Sequence, residues 1–174
     1  PEDTGRRSLK NRVLAYLMAA GDAQGVALCE AQYQAQHNMT DVITALALLA
    51  DSDQPAREDA LVDFERRWRG DPLVMDKWFA VQAVSGRTDT LARVRQLMGH
   101  PAFSMHNPNK VRALAGSFAN ANPVTFHAAD GSGYAFLQEN VFSQDPANPQ
   151  ISARLLRAIS RWQRYEKVRQ AKMR

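Results

Sequence analysis

The stretch Asp71–Met98, DPLVMDKWFAVQAVSGRTDTLARVRQLM, decides the fold class because it contains two helical patterns and the break between them. Asp71 can accept hydrogen bonds from the free N–H groups of a first helical turn, and Pro72 loses no intrahelical bond there. Apolar residues then recur at helical spacing, at Val74, Trp78 and Val81. Gly86 ends the first segment, and a second apolar stripe follows it. The stretch therefore predicts two consecutive helices joined by a turn.

The same pattern continues in both directions along the chain. Apolar spacing, capping residues and glycine stops predict helices over 6–20, 23–36, 40–51, 55–69, 72–84, 89–98, 109–119, 133–143, 149–161 and 163–173. Sustained alternation with a period of two is missing, so the pattern does not support a β-sheet. The short links favour antiparallel neighbours. We expect one all-α domain over 1–174, an irregular armadillo- or HEAT-like α-α superhelix of stacked antiparallel helix pairs, with a closed helical bundle as the alternative.

Composition narrows the class of protein. The chain has 174 residues, 45% of them hydrophobic and 23% charged, which is typical of one globular domain and not of a disordered chain. Cys29 is the one cysteine, so no disulfide framework exists, and we expect a small buried hydrophobe there. The start at Pro1 resembles no signal peptide and lacks a methionine, as expected of a cut fragment. A reducing, cytoplasmic location is predicted.

The net charge of +4 is unevenly distributed. Residues 151–174 hold eight basic residues against the single acid Glu166, a net charge of +7, which leaves −3 for residues 1–150. A basic C-terminal helix raises an alternative function, a free-standing helical-repeat module that binds a polyanion or a protein partner. Apart from Trp162 and Tyr165, however, the aromatic residues do not interleave with the basic ones, so no nucleic-acid partner is expected.

No catalytic centre is predicted in this chain. Its four histidines do not include an H-E-x-x-H pair, the spacing with which one helix presents two imidazoles to zinc. The segment Gly131-Ser132-Gly133 does not match G-x-S-x-G and no strand precedes it. We interpret it as a tight turn into a helix, capped by Asp130 or Ser132. Neither catalytic residues nor metal ligands are therefore assigned.

Arginines are the remaining candidates for binding. Arg112 lies beside an apolar helix face next to Gly116, and Arg154 lies beside the predicted buried stripe of Ile151, Leu155, Ile159 and Trp162. An arginine next to small residues can extend over a concave surface and present its planar fork to a carboxylate. A solvated helix face is the other interpretation, and it is the one we adopt for Arg157, Arg161 and Arg164. Composition alone does not separate the two interpretations for Arg112 and Arg154.

A series of ordered blocks points to a family. They are Gly5-Arg6-Arg7-Ser8-Leu9-Lys10-Asn11, Asn38-Met39-Thr40-Asp41, the segment 71–79, His100-Pro101-Ala102-Phe103, Asn107-Pro108-Asn109, the segment 126–134 and Asn148-Pro149-Gln150. In this order they resemble the C-terminal helical domain of bacterial aminopeptidase N, of the gluzincin-type zinc aminopeptidases (membrane alanyl aminopeptidase-like). The resemblance covers essentially the whole chain.

This resemblance implies a parent zinc metallo-aminopeptidase, a hydrolase that removes N-terminal amino acids from peptides. Zinc would be bound by an H-E-x-x-H helix and a downstream glutamate of a catalytic domain upstream of this chain. The chain alone would bind no zinc and be inactive. The resemblance implies that the domain caps the active-site chamber and limits substrate access. Its partners would be its own upstream catalytic domain and peptide substrates, with no membrane and no nucleic acid.

Two residues acquire an expected role from the resemblance. Arg112 and Arg154 match two chamber-facing arginines of the family, which implies that they bind the C-terminal carboxylate or the backbone carbonyls of a peptide. The sequence departs from the family at Lys110, where arginine is frequent, and the change has little effect if the side chain is solvated. The chain also ends at Met173-Arg174, where a further segment is expected.

Overall fold

The computed structural model describes residues 2–146 and 148–174; Pro1 and Ala147, inside the predicted domain 1–174, lie outside the described residues. All regular structure in the described ranges is helical, which confirms the predicted all-α class. Contacts divide the chain into two compact units, one ending at Gly70 and one spanning Asp71–Arg174. None of the described helices is long and apolar enough to cross a membrane.

The first unit contains four helices, namely α1 Glu2–Ala19, α2 Ala23–Ala35, α3 Met39–Ala50 and α4 Ala56–Trp68. Consecutive helices pack against each other, and α1 also packs on α3. Asp22 and Asn38 cap α2 and α3, since their side chains accept hydrogen bonds from first-turn N–H groups. The helix starts expected from the sequence therefore lie within a few residues of the observed ones.

Cys29 is fully buried between α2 and α3, as expected. Its Sγ lies 3.5 Å from the carbonyl oxygen of Ala45. Burial, with a smaller contribution from Glu30, raises the pKa of the thiol to about 12. A thiol with so little thiolate is a poor nucleophile, so Cys29 acts as a structural residue.

The second unit begins with α5 Pro72–Ala83 and α6 Thr90–Met98. A continuous helical segment then runs through α7 Pro108–Val111, a π-helical turn Arg112–Gly116 and α8 Ser117–Ala121. It is followed by α9 Ser132–Gln144, α10 Pro149–Leu156 and α11 Lys167–Met173. Asp71, Asn107 and Asn148 each cap a helix whose first residue is proline, as the sequence predicts.

An aromatic cluster occupies the core of the second unit. Phe118 meets Phe126 and Phe136 edge to face, with ring centroids 5.8 and 5.4 Å apart. The rings of Tyr134 and Phe126 also meet edge to face, with centroids 5.5 Å apart. The cluster joins α8, the loop that follows it, and α9.

The prediction of two long C-terminal helices over 149–161 and 163–173 is wrong. The α-helix ends at Leu156, short 3₁₀ turns cover Arg157–Ile159 and Trp162–Arg164, and α11 begins only at Lys167. Ile151 and Leu155 are buried, but Ile159 and Trp162 of the predicted stripe are half-buried. The chain leaves the helix because Tyr165 packs on His127, with ring centroids 4.5 Å apart.

Candidate functional site

The candidate site begins at the π-helical turn, where Arg112 is the first residue. The N–H of Ser117 donates to the Arg112 carbonyl, the five-residue spacing of a π turn. The Ser117 hydroxyl lies 3.4 Å from the same oxygen. Sequence analysis predicted an uninterrupted α-helix here and missed the turn. π turns of this kind occur frequently at functional sites.

Arg112 and Arg154 line one cavity of about 280 Å³. Helix α10, which carries Arg154, packs against the π turn that carries Arg112. The other lining residues are Pro108, Val111, Gly116, Ser117, Asn120, Ala121, Ile151 and Leu155. Both arginines are exposed, and neither guanidinium has a hydrogen bond or ion pair with another described residue. The structure thus brings together the two arginines that the family resemblance singled out.

The chemistry of this cavity favours an anion. Its lining contains two guanidinium groups and no acidic side chain. A guanidinium presents parallel N–H donors that match the two oxygens of a carboxylate. Asn120 Nδ2 donates to the Gly116 carbonyl at 2.9 Å, so Asn120 Oδ1 remains as an acceptor for an N–H group. Ser117 and Asn120 are lining residues that sequence analysis missed, since no motif marks them.

Lys110 does not lie on a solvated surface, so the expectation of little effect does not apply. The Lys110 side chain is only 7% exposed. Its Nζ lies 2.8 Å from Asp76 Oδ1, a distance at which the two charges form an ion pair. Nζ donates to the Pro72 carbonyl at 2.7 Å, whereas Asp76 Oδ1 has no hydrogen-bond partner among the described residues. Lys110 therefore joins α7 to α5 and supports the segment that carries Arg112.

The basic C-terminal segment is partly engaged by its own unit. Arg169 Nε donates to the His127 carbonyl at 2.9 Å, and Lys172 Nζ donates to the Ala129 carbonyl at 2.8 Å. The Arg174 guanidinium lies 4.9 Å from the centre of the Trp162 ring. Since the segment is broken into short turns, it does not present the continuous basic helix on which the polyanion-binding alternative depends.

His127 lies between two tyrosines outside the arginine cavity. Its Nδ1 is 2.8 Å from the Tyr134 hydroxyl, and its Nε2 is 3.0 Å from the Tyr165 hydroxyl. Partial burial, followed by the nearby Arg169 charge, lowers the pKa of His127 below its ordinary value. His127 thus holds α9 and the C-terminal segment together in its neutral form.

This pKa shift predicts acid-sensitive stability. Below the ordinary histidine pKa of about 6.5 the unfolded chain binds a proton that folded His127 resists, so the free energy of unfolding falls as the pH drops. In urea unfolding at pH 7.5 and 5.5, His127→Gln should lose less stability between the two pH values than the unmodified chain. The matched control is His37→Gln, at an exposed position in the first unit. If His127→Gln loses as much free energy of unfolding between pH 7.5 and pH 5.5 as the unmodified chain does, protonation of His127 does not cause the acid sensitivity.

The remaining candidates from the sequence are structural. The chain turns into α9 at Gly131, which has a φ of 82°, and α9 begins at Ser132. The residue at the cap position is Gly131 and not Asp130 or Ser132 as predicted, although Asp130 Oδ1 accepts from the Ser132 N–H at 2.9 Å. In residues 2–146 and 148–174, no three histidine, cysteine, aspartate or glutamate side chains gather as ligands for a metal ion. Arg157, Arg161 and Arg164 are exposed and do not line the arginine cavity.

Comparison with known proteins gives consistent matches. Residues 1–174 match the family described as "Domain of unknown function (DUF3458_C) ARM repeats", in agreement with the predicted armadillo-like class. The chain is 40% identical over 173 residues to aminopeptidase N of Escherichia coli, covering 99% of this chain and 20% of that protein. Aminopeptidase N of Caulobacter vibrioides is 43% identical, with 93% of this chain and 19% of that protein covered.

A solved structure also resembles the chain. It is described as Legionella pneumophila aminopeptidase A in complex with aspartic acid. It superposes with a TM-score of 0.93 at 34% identity, over 98% of this chain and 20% of that one. The chain therefore spans about a fifth of the length of the proteins it matches.

Proposed function

We propose, on the premise that the chain belongs to the DUF3458_C family of ARM-repeat domains, that it is the C-terminal domain of an aminopeptidase N-type peptidase. The parent enzyme removes N-terminal amino acids from peptides in the cytoplasm, with a zinc ion in an upstream catalytic domain. This domain caps the active-site chamber, limits access to peptides and contacts the peptide tail. The proposal places the zinc ligands in that upstream domain and assigns no metal ligand to this chain.

The convergence of Arg112 and Arg154 on one cavity is the observation that carries this proposal. The two guanidinium groups are exposed and have no ion pair with another described residue, so both are open to an anion, and every unmodified peptide ends in one. A charge-assisted hydrogen bond to a carboxylate contributes about 1.5–3 kcal/mol, enough to hold a tail while the chemistry proceeds elsewhere. The role of the two arginines is therefore to bind the peptide's terminal carboxylate.

The proposal predicts a substrate-dependent loss of activity. In the full-length enzyme, Arg112→Ala and Arg154→Ala should each lower kcat/KM for a short peptide by about tenfold, the value of one charge-assisted bond. Turnover of an amino-acid anilide, which has no carboxylate, should change little. Steady-state kinetics on both substrates measures the difference.

The matched control is Arg157→Ala, which removes an exposed arginine from the same segment outside the cavity. It should leave both substrates unaffected. Equal losses on peptide and anilide in Arg112→Ala and Arg154→Ala would contradict carboxylate binding, because a general disturbance of the domain would then explain them.

A further inference from the structure

We infer that the cavity of Arg112 and Arg154 also selects peptides by the side chain of their last residue, and that it favours an apolar one. This inference rests on the proposed function, because it places the terminal carboxylate on the two guanidinium groups. It adds a specificity that charge alone does not supply. The observation behind it is the composition of the rest of the cavity wall.

Apart from the two arginines, much of the cavity wall is apolar. It consists of Pro108, Val111, Ala121, Ile151 and Leu155. Val111, Ile151 and Leu155 are almost fully buried, at 2%, 4% and 3% exposure, so they are fixed by core packing. A terminal side chain that enters the cavity would therefore meet an ordered apolar wall, and the transfer of its own apolar surface out of water stabilises the bound peptide.

The size of the cavity limits its occupant to about one residue. Its volume of about 280 Å³ lies just below the usual range for ligand pockets, about 300–1,000 Å³, which is too small for a longer peptide segment. Gly116 and Ala121 keep this space open because they have little or no side chain. The occupant that matches both the charge and the volume is a single C-terminal residue with its carboxylate.

The charge of the lining ranks the possible terminal residues. A lysine or arginine would bring a third cation to a cavity with two guanidinium groups and no acid, so it should bind worst. An acidic side chain would satisfy a guanidinium but place a charge against Val111 and Ile151, which opposes binding. A leucine covers the apolar wall and leaves both arginines for the carboxylate.

The chain itself can be tested with four tripeptides, Ala-Ala-Leu, Ala-Ala-Asp, Ala-Ala-Lys and the amide of Ala-Ala-Leu. Dissociation constants can be measured by NMR chemical-shift titration. Ala-Ala-Leu should bind about tenfold more tightly than Ala-Ala-Asp and more tightly still than Ala-Ala-Lys, as expected for partial burial of a leucine side chain. Amidation should weaken binding by about tenfold, the value of one lost charge-assisted bond.

Two matched variants test whether the preference for a terminal leucine arises in this cavity. Ala121→Trp fills the cavity from an exposed position and should abolish the preference for leucine while both arginines remain. Ala153→Trp adds the same side chain at an exposed position of α10 that does not line the cavity, and it should keep the preference.

The outcomes separate the inference from the function on which it rests. If the amide binds more weakly but the three acids bind alike, the apolar selection is wrong and carboxylate binding stands. If the amide binds as well as the acid, carboxylate binding itself is wrong. If no tripeptide binds up to about 10 mM, the inference is overturned, because a binding free energy of even a few kcal/mol would give detectable occupancy at that concentration.

Discussion

Replacement of Gly133 by alanine is expected to lower the free energy of unfolding by about 3 kcal/mol, at the upper end of the range for overpacked sites. A Cβ at this position would overlap the carbonyl oxygen of Phe126 and lie 2.7 Å from the carbonyl carbon and 2.8 Å from the Cα of the same residue. All three are backbone atoms, so no side-chain rotation can relieve the overlap. The loop at Phe126 and the start of α9 must move apart.

This movement is costly because Phe126 is fully buried in the aromatic cluster of the second unit. Its ring meets those of Phe118 and Tyr134 edge to face, at 5.8 and 5.5 Å. A shift of about an ångström disturbs both contacts at once, since protein interiors are close-packed. The cost therefore combines overpacking at Gly133 with lost packing around Phe126.

Urea unfolding followed by circular dichroism measures the effect. Gly70→Ala is the control, because a Cβ at Gly70 meets no atom within 4 Å. It should change the free energy of unfolding by less than about 1 kcal/mol, as is usual for surface substitutions. Similar stabilities for Gly133→Ala and Gly70→Ala would show that the contact with Phe126 does not constrain the fold.

Helix positions were predictable from the sequence where local chemistry determines them. Asp71, Asn107 and Asn148 each precede a proline and each cap a helix, because the capping bond joins atoms only two or three residues apart. The turn at Gly131, just before α9, was predictable from equally local signals. The close approach of Gly133 to Phe126 was not, since it depends on how the loop returns to α9.

The C-terminal segment shows how tertiary packing overrides a periodic pattern. Ile151, Leu155 and Ile159 continue the helical spacing, yet the α-helix ends at Leu156. Tyr165 bonds to His127 across 38 residues, and Glu166 then caps α11 by accepting from Val168 and Arg169 N–H groups. Since the decisive partner is distant in sequence, spacing alone predicts a longer helix than the one that forms.

The candidate site was predictable only in part. The residues alone left Arg112 and Arg154 indistinguishable from solvated arginines, and the resemblance to aminopeptidase N singled them out. Their shared cavity depends on the packing of α10 against the π turn, two elements about forty residues apart. The π turn has no periodic pattern of its own. Ser117 and Asn120 were missed because they become lining residues only through that turn.

Replacement of Lys110 by methionine is expected to lower the free energy of unfolding by about 3 kcal/mol, the usual cost of removing one partner of a buried ion pair. Asp76, which is 14% exposed, would keep its charge without the ammonium group 2.8 Å away. The Pro72 carbonyl would also lose its donor. Methionine has a similar length and can still pack on Phe79, so the loss of stability reports the removed charge and not lost packing.

Urea unfolding of three variants distinguishes an ion pair from simple packing. Lys77→Met, at an exposed lysine of α5 next to Asp76, should be nearly neutral. Adding Asp76→Leu to Lys110→Met should restore most of the lost stability, because a buried pair replaced by apolar side chains leaves no uncompensated charge. The Pro72 carbonyl still lacks its donor in the double variant, which keeps the recovery incomplete. If the double variant is less stable than Lys110→Met alone, the two residues contribute independently, and the Lys110–Asp76 pair does not join α7 to α5.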